Sequence, residues 1–433
     1  MSANLLAAGG FIATFFLMAL RVPIGLALIA VGVVGFALST SGMAALKVLA
    51  LTPMETAADL NFAVVPLFVV MGALARESGI STELYRAASA WFGRLRGGLA
   101  ISTIGACAGF SAICGSSVAA AATMGRLALP EMKQMGYDDR YATGVVAAGG
   151  TLGVLIPPSV PFILYGFVTE TDIGKLFLAG IVPGIVAVLF YMGMVFFIAW
   201  RKPQAMPALS RKLSLKEKLA ATAAIWPAML IFTAVIGGIY AGIFTPTEAA
   251  GAGAAATLLV AVGQRRLDRR KIINAFIESI RISASLFTIL IGAVIFGQFL
   301  VMTGAPQDIA EMLTTLPVSP TITLVIILAA FILLGCFLDT MAIILIFVPI
   351  VFPAVHALGF DPVWFGVLVV MVCEIGLISP PYGINVFVIN GVARNVPVTT
   401  IFRGVLPFIG VDIARVALIL LIPTLALWLP GHM

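Results

Sequence analysis

Apolar residues run along this chain in long unbroken blocks, separated by short clusters of glycine, proline and charge. A membrane-spanning helix needs about 20 mostly apolar residues. A lipid-spanning barrel would instead show short segments of alternating apolarity. The blocks therefore predict an all-α polytopic membrane protein with about 11–12 membrane helices. Two blocks are unusual. Over 97–135 the run GGLAISTIGACAGFSAIC is followed by GSSVAAAATMGRLALPEM, with only Gly115, Ser116 and Ser117 between the two arms. Two full spans with a tight turn fit this pattern. A re-entrant hairpin fits it better, because no charge marks a water-exposed turn. Over 320–358 the arms 320–338 and 341–358 flank Asp339 and Thr340 in the same way.

The two hairpins are parts of a repeat. Pro130, Gly136 and Asp138 recur 223 positions on as Pro353, Gly359 and Asp361. At the same offset Gly153 recurs as Gly376, Pro157-Pro158 as Pro380-Pro381, and Ser116-Ser117 falls on Asp339-Thr340. With small length changes Gly72, Ser78 and Gly79 correspond to Gly297, Thr303 and Gly304, and Gly180 and Pro183 to Gly404 and Pro407. Matched interrupted helices are the sequence mark of secondary transporters, where the repeats are commonly inverted. The expected organisation has four parts. Residues 1–60 are N-terminal scaffold helices, and 61–200 are the first repeat, with hairpin 97–135 and broken helix 139–168. Residues 201–283 hold basic loops and a central helix pair. Residues 284–433 are the second repeat, with hairpin 320–358 and broken helix 361–393.

Composition and charge sharpen this picture. Apolar residues make up 61% of the 433 and charged residues 10%, against roughly 45–50% and about 25% in soluble domains. Lys and Arg concentrate in Arg201–Lys218 (Arg201, Lys202, Arg211, Lys212, Lys216, Lys218) and in Arg265–Lys271. Short basic loops stay in the cytoplasm, so 219–264 must cross twice, over about 225–241 and 247–263. The turn FTPTEAAG then faces the periplasm. The first apolar run follows no Lys or Arg and is expected to be a membrane helix, not a removable signal. Cys107, Cys114, Cys336 and Cys373 fit no metal or redox spacing. The net charge of +6 reflects loops that set orientation, not nucleic-acid binding.

Candidate chemistry lies where the helices break. Asp339 places a charge at a hairpin tip within the membrane, at roughly 2.5–3.5 kcal/mol on insertion scales. With no basic residue nearby in sequence, a bound cation is its natural partner. Ser116 and Ser117 at the first tip would cap the second arm and leave backbone N–H groups suited to an anion. In GTLGVLIPPS and EIGLISPPYG, glycine and proline unwind the backbone and free carbonyls that must find protein, water or a cation. Two cation sites are expected, one per repeat, with the solute between the tips. Glu374, the counterpart of Thr151, either sits beside the second site or packs. Tyr382, Asn385 and Asn390 either line the solute path or bond neighbouring helices.

These segments carry a family resemblance. AVVPLFVVMGALARESGIS, GSSVAAAATMGRLALPEMKQMGY, GTLGVLIPPS, TETDIGKLFLAGIVPG, GCFLDTMAIILIFVPIVFPAVHALGFDP and EIGLISPPYGINVFVING resemble the large membrane subunit of TRAP transporters over nearly the whole chain. The resemblance implies elevator-type scaffold and transport domains in a bacterial inner membrane. It implies sodium-driven uptake of a carboxylate solute such as a sialic acid or C4-dicarboxylate. The implied partners are a periplasmic solute-binding protein and a small four-helix membrane subunit, not fused here. Matched by motif, it implies a first sodium region at Ser116, Ser117, Gly150, Thr151, Gly153 and Pro157. The second is at Asp339, Thr340, Gly376 and Pro380. Solute contacts are expected from Ser116, Ser117, Asp339, Thr340, Tyr382 and Asn385. Cys114 and Tyr382 depart from the family pattern and leave the solute open. A stand-alone elevator-type sodium symporter of the dicarboxylate or citrate class is the alternative. HExxH, GxSxG and clustered histidines are absent, which argues against an enzyme.

Overall fold

The computed structural model describes residues 3–208 and 213–432, and these contain helices and no strand. Arg211 and Lys212 of the first basic loop lie outside the described residues. The chain opens with α1 (Ala3–Ala19), α2 (Ile24–Ser39), α3 (Gly42–Ala58), α4 (Val64–Glu77) and α5 (Ile80–Phe92). The first hairpin is α6 (Gly98–Cys114) and α7 (Ser117–Gln134). The first broken helix is α8 (Asp139–Leu155) and α9 (Val160–Thr169), followed by α10 (Ile173–Arg201). Between the repeats lie α11 (Leu215–Ala223), α12 (Trp226–Phe232) continuing through a π turn into α13 (Gly238–Tyr240), and α14 (Pro246–Gly263). The second repeat begins with α15 (Arg269–Thr303) and α16 (Ala305–Thr314), then the hairpin α17 (Pro320–Gly335) and α18 (Thr340–Ala357). Its broken helix is α19 (Pro362–Gly376) and α20 (Ile384–Val392), followed by α21 (Val398–Leu421) and the short α22 (Thr424–Leu427).

Short polar residues start these helices, as capping chemistry requires. The side chains of Ser116, Asp138, Asp172, Ser214, Thr245, Asp268, Ser319, Asp339 and Asp361 each accept from a backbone N–H of the first turn. Among the described residues six helices are long and apolar enough to cross a membrane, or seven if the bent pair Leu215–Ala223 and Trp226–Tyr240 is one span. Five shorter apolar helices are α1, α2, α19 and the first arm of each hairpin, α6 and α17. The expected span over 247–263 is α14, which begins Pro246-Thr247-Glu248 and lies outside the six.

Three contacts fix sidedness. Gly97 and Asp138, at the base of the first hairpin, donate backbone hydrogen bonds to the Met206 and Ala205 carbonyls, both at 3.0 Å. That hairpin and α8 therefore start on the face that carries the basic loop. At the opposite face Tyr165 of α9 donates to the Pro362 carbonyl at 2.6 Å, where α19 begins. The end of α20 returns to the basic face, where residues 392–396 share a cavity with Lys133 and Asp139. The two broken helices run antiparallel, so the repeats are inverted.

A second body forms around α2 and α15, which run parallel. Gly25 lies against the backbone of Thr288 and Ile289, Gly32 against Ile295 and Phe296, and Gly35 against the Phe299 ring. A Cβ on Gly25 would come within 2.7 Å of the Thr288 backbone, so the helices cross at backbone contact, as small residues permit in membranes. Arg76 of α4 pairs with Glu278 of α15, and Arg266 with Glu83 of α5 at 2.6 Å.

Candidate functional site

The first tip sits against the break in the first broken helix. A Cβ on Gly115 would meet the Pro158 carbonyl at 2.6 Å, and one on Gly153 would meet the Ser116 backbone at 2.8 Å. From its start at the basic face, α8 climbs 17 residues to this break, about 25 Å. Beyond it α9 continues for 10 residues, roughly 15 Å. The tip therefore ends inside the protein, and the hairpin is re-entrant. The second repeat repeats the contact, since a Cβ on Gly376 would lie 2.5 Å from the Gly335 backbone. Both Pro157-Pro158 and Pro380-Pro381 are cis.

At the first tip Ser116 caps α7 through the Ala119 N–H at 3.4 Å. Gly150 lies against Ala121, where a Cβ would be 2.6 Å from the Ala121 Cβ. Asn385, from the second repeat, donates through Nδ2 to Ser117 Oγ at 2.7 Å and to the Ala147 carbonyl at 3.1 Å. It is fully buried and so joins the tip of one repeat to the broken helix of the other. At the second tip Asp339 accepts from the Ala342 N–H at 3.0 Å. Among the described residues no ion pair includes it. The adjacent Thr340 hydroxyl is buried and has no hydrogen-bond partner among the described residues. A carboxylate without a counter-charge next to an unused hydroxyl is a hard-oxygen donor set that fits a small cation. Tyr382 is 57% exposed and packs on Phe387. Asn390 donates to the Val396 carbonyl at 2.8 Å, away from both tips in sequence.

Glu374 and Thr151 meet directly. The Thr151 hydroxyl donates to Glu374 Oε1 at 2.6 Å across a sequence separation of 223. Equivalent positions of the two repeats can touch only where the pseudo-two-fold axis passes between them. Around that axis lies a fully buried polar network that motif reading did not foresee. Arg415 Nη2 donates to Glu374 Oε2 at 3.0 Å and to Asp412 Oδ1 at 2.6 Å. Tyr191 donates to Asp412 Oδ2 at 3.0 Å, and its ring lies beneath the guanidinium at 5.2 Å. Thr151 also reaches the Ala148 carbonyl at 2.7 Å. A sequence signal existed, since Asp412 and Arg415 stand at i, i+3 within apolar α21.

The chain matches the model of the family "Tripartite ATP-independent periplasmic transporter, DctM component" over residues 11–425. It belongs to the DctM family of TRAP transporter large permeases. The C4-dicarboxylate TRAP transporter large permease DctM of Pseudomonas aeruginosa is 37% identical over 385 residues, 88% of this chain and 89% of that one. The sialic acid large permease SiaM of Vibrio cholerae is 34% identical, covering 84% and 85%. The ectoine large permease TeaC of Halomonas elongata is 31% identical, covering 95% and 96%. Among solved structures, the YdaH transporter of Alcanivorax borkumensis superposes with a TM-score of 0.63 at 16% identity, covering 89% of each chain. MtrF of Neisseria gonorrhoeae superposes at 0.57 and 16%, covering 90% and 85%. These two share the fold.

Proposed function

We propose that this chain forms the path of a sodium-coupled importer for a carboxylate-bearing solute in the bacterial inner membrane. The observation that carries this reading is the second tip, where unpaired Asp339 lies beside the unpartnered, buried Thr340 hydroxyl. Buried polar atoms in membrane proteins mark pathways when no protein partner satisfies them. One sodium ion would be held by Asp339, Thr340 and the backbone around Gly376 and Pro380. The other would be held around Ser116, Ser117, Gly150, Thr151, Gly153 and Pro157. Of this first set the Thr151 hydroxyl has its proton engaged by Glu374 and the Ala148 carbonyl, so it could offer an ion an oxygen lone pair.

The solute would lie between the tips, its carboxylate at the free N–H groups of the α7 and α18 starts. The hairpins and broken helices would move as one body against the α2–α15 scaffold, with the basic face in the cytoplasm. A periplasmic binding protein and a small membrane subunit are the proposed partners, on the strength of the family. Reconstitution of the three components with a sodium gradient tests the reading. Solute uptake should need both sodium outside and the binding protein, and equal uptake in potassium would sink it.

A further inference from the structure

The two repeats match in sequence but their hairpins are seated differently. In the first, Gly72 of α4 lies against the tip, where a Cβ would meet the Cys114 backbone at 2.9 Å. A Cβ on its counterpart, Gly297 of α15, would have nothing within 4 Å. Gly297 borders instead a cavity of about 380 Å³, apolar except for Gln307 and lined from α18 by Leu345, Ile346, Pro349, Ile350 and Pro353. The offset of the repeats places Phe337 on Cys114. Phe337 is 61% exposed and does not line that cavity. One tip thus has its glycine, and the other glycine lacks its tip.

The two glycines lie in opposite halves of the membrane. Gly72 stands just before Arg76, whose pairing with Glu278 near the start of α15 puts it toward the basic face. Gly297 is near the far end of α15, toward the opposite face. The second hairpin enters from that opposite face, because α18 leads directly into α19, whose start is held there by Tyr165. Its tip therefore points toward the basic face. Gly297 now faces the arm of this hairpin, at Leu345 to Pro353, instead of the tip. These residues stand 6 to 14 positions beyond Asp339, about 9–21 Å along α18. Movement of the hairpin body by that distance toward the opposite face carries Phe337 to Gly297 and withdraws Cys114 from Gly72. Rigid-body movement of one bundle against another is how inverted-repeat folds change access.

We propose that the cavity beside Gly297 is the seat of Phe337 in the opposite transport state, as Gly72 is the seat of Cys114 in the present one. The inference rests on the moving-body reading above and gives that movement an end point. An apolar cavity stays dry, and an aromatic ring gains much by burial in it. Because a ring replaces the small Cys114 side chain, the ring and not the tip backbone meets Gly297. A methyl group at 297 is therefore tolerated. A permanently seated lipid chain is the competing occupant, and it would keep Phe337 out.

Cysteine pairs test it, in membranes holding the full chain with its four native cysteines replaced. Phe62, which meets Phe287 of α15, stacks on Phe167 of α9 at 4.1 Å and so joins scaffold to moving body in the present state. Phe62→Cys with Phe167→Cys should bridge under mild oxidation. Gly297→Cys with Phe337→Cys should bridge as well, although the two positions share no cavity in the present state. In a chain carrying all four cysteines the bridges should exclude each other, as read by peptide mass spectrometry. Closing the Phe62–Phe167 bridge first should abolish the Gly297–Phe337 bridge. A Gly297–Phe337 pair that never closes overturns the proposal and leaves the moving body standing. A Gly297–Phe337 bridge that forms whether or not the other is closed means that Phe337 arrives without movement of the body. That outcome overturns the proposal together with the reading on which it rests.

Discussion

Asp339 combines two roles that ordinary substitutions confuse. Its carboxylate caps α18 through the Ala342 N–H at 3.0 Å, and its charge has no counter-ion among the described residues. Asp339→Asn keeps the cap and removes the charge. It should therefore leave folded yield near normal and abolish sodium-dependent uptake. Asp339→Ala should lose uptake as well, and should melt earlier by about 1 kcal/mol of capping energy. Normal uptake by the asparagine variant would exclude a cation role for this residue. Arg415 is the opposite case. It neutralises buried carboxylates at 3.0 and 2.6 Å, so Arg415→Met leaves both without a counter-charge, at about 3–5 kcal/mol. Monodisperse yield should collapse, and adding Glu374→Gln and Asp412→Asn should restore most of it. Failure of that rescue would mean the network matters for more than charge balance.

At the scale of elements, the hairpins are held by glycines placed where a side chain cannot fit. A methyl group on Gly153 would strike the Ser116 backbone at 2.8 Å, and one on Gly376 the Gly335 backbone at 2.5 Å. Backbone cannot yield as a flexible side chain can. Gly153→Ala and Gly376→Ala should each displace a tip from its broken helix and reduce uptake by at least tenfold. Gly297→Ala, with nothing within 4 Å, is the control and should transport normally. Vesicle uptake at matched expression is the measurement, and equal activity in all three would argue against fixed tips. The hairpins were legible in the sequence because Gly115-Ser116 and Asp339 break otherwise continuous apolar runs. That 97–135 re-enters was favoured by the uncharged tip, although arm length alone permits a full span as well.

For the whole molecule, antiparallel broken helices and one basic face define an orientation that can be read from outside. Lys216, in the first turn of α11 at the end of the first basic stretch, and Thr247, in the first turn of α14, should lie on opposite sides. In intact cells Thr247→Cys should react with an impermeant thiol reagent, and Lys216→Cys should react only after permeabilisation. The reverse pattern would invert the assignment of the membrane faces.

The sequence by itself determined the solvent, the repeat and the places where helices break. Apolar block length, and glycine, proline and polar residues recurring at one offset, are local properties and survive without coordinates. Only the tertiary structure decided which of these places meet. Asn385 could be read as lining a path or as bonding a neighbour, and its contact with Ser117 comes from the other repeat. Glu374 could be read as sitting beside a cation site or as packing, and its partner in a buried ion pair, Arg415, stands 41 residues away. The physical reason is common to both. A side chain's partners come from helices brought together by packing around the pseudo-two-fold axis, and one-dimensional pattern carries no record of that distance.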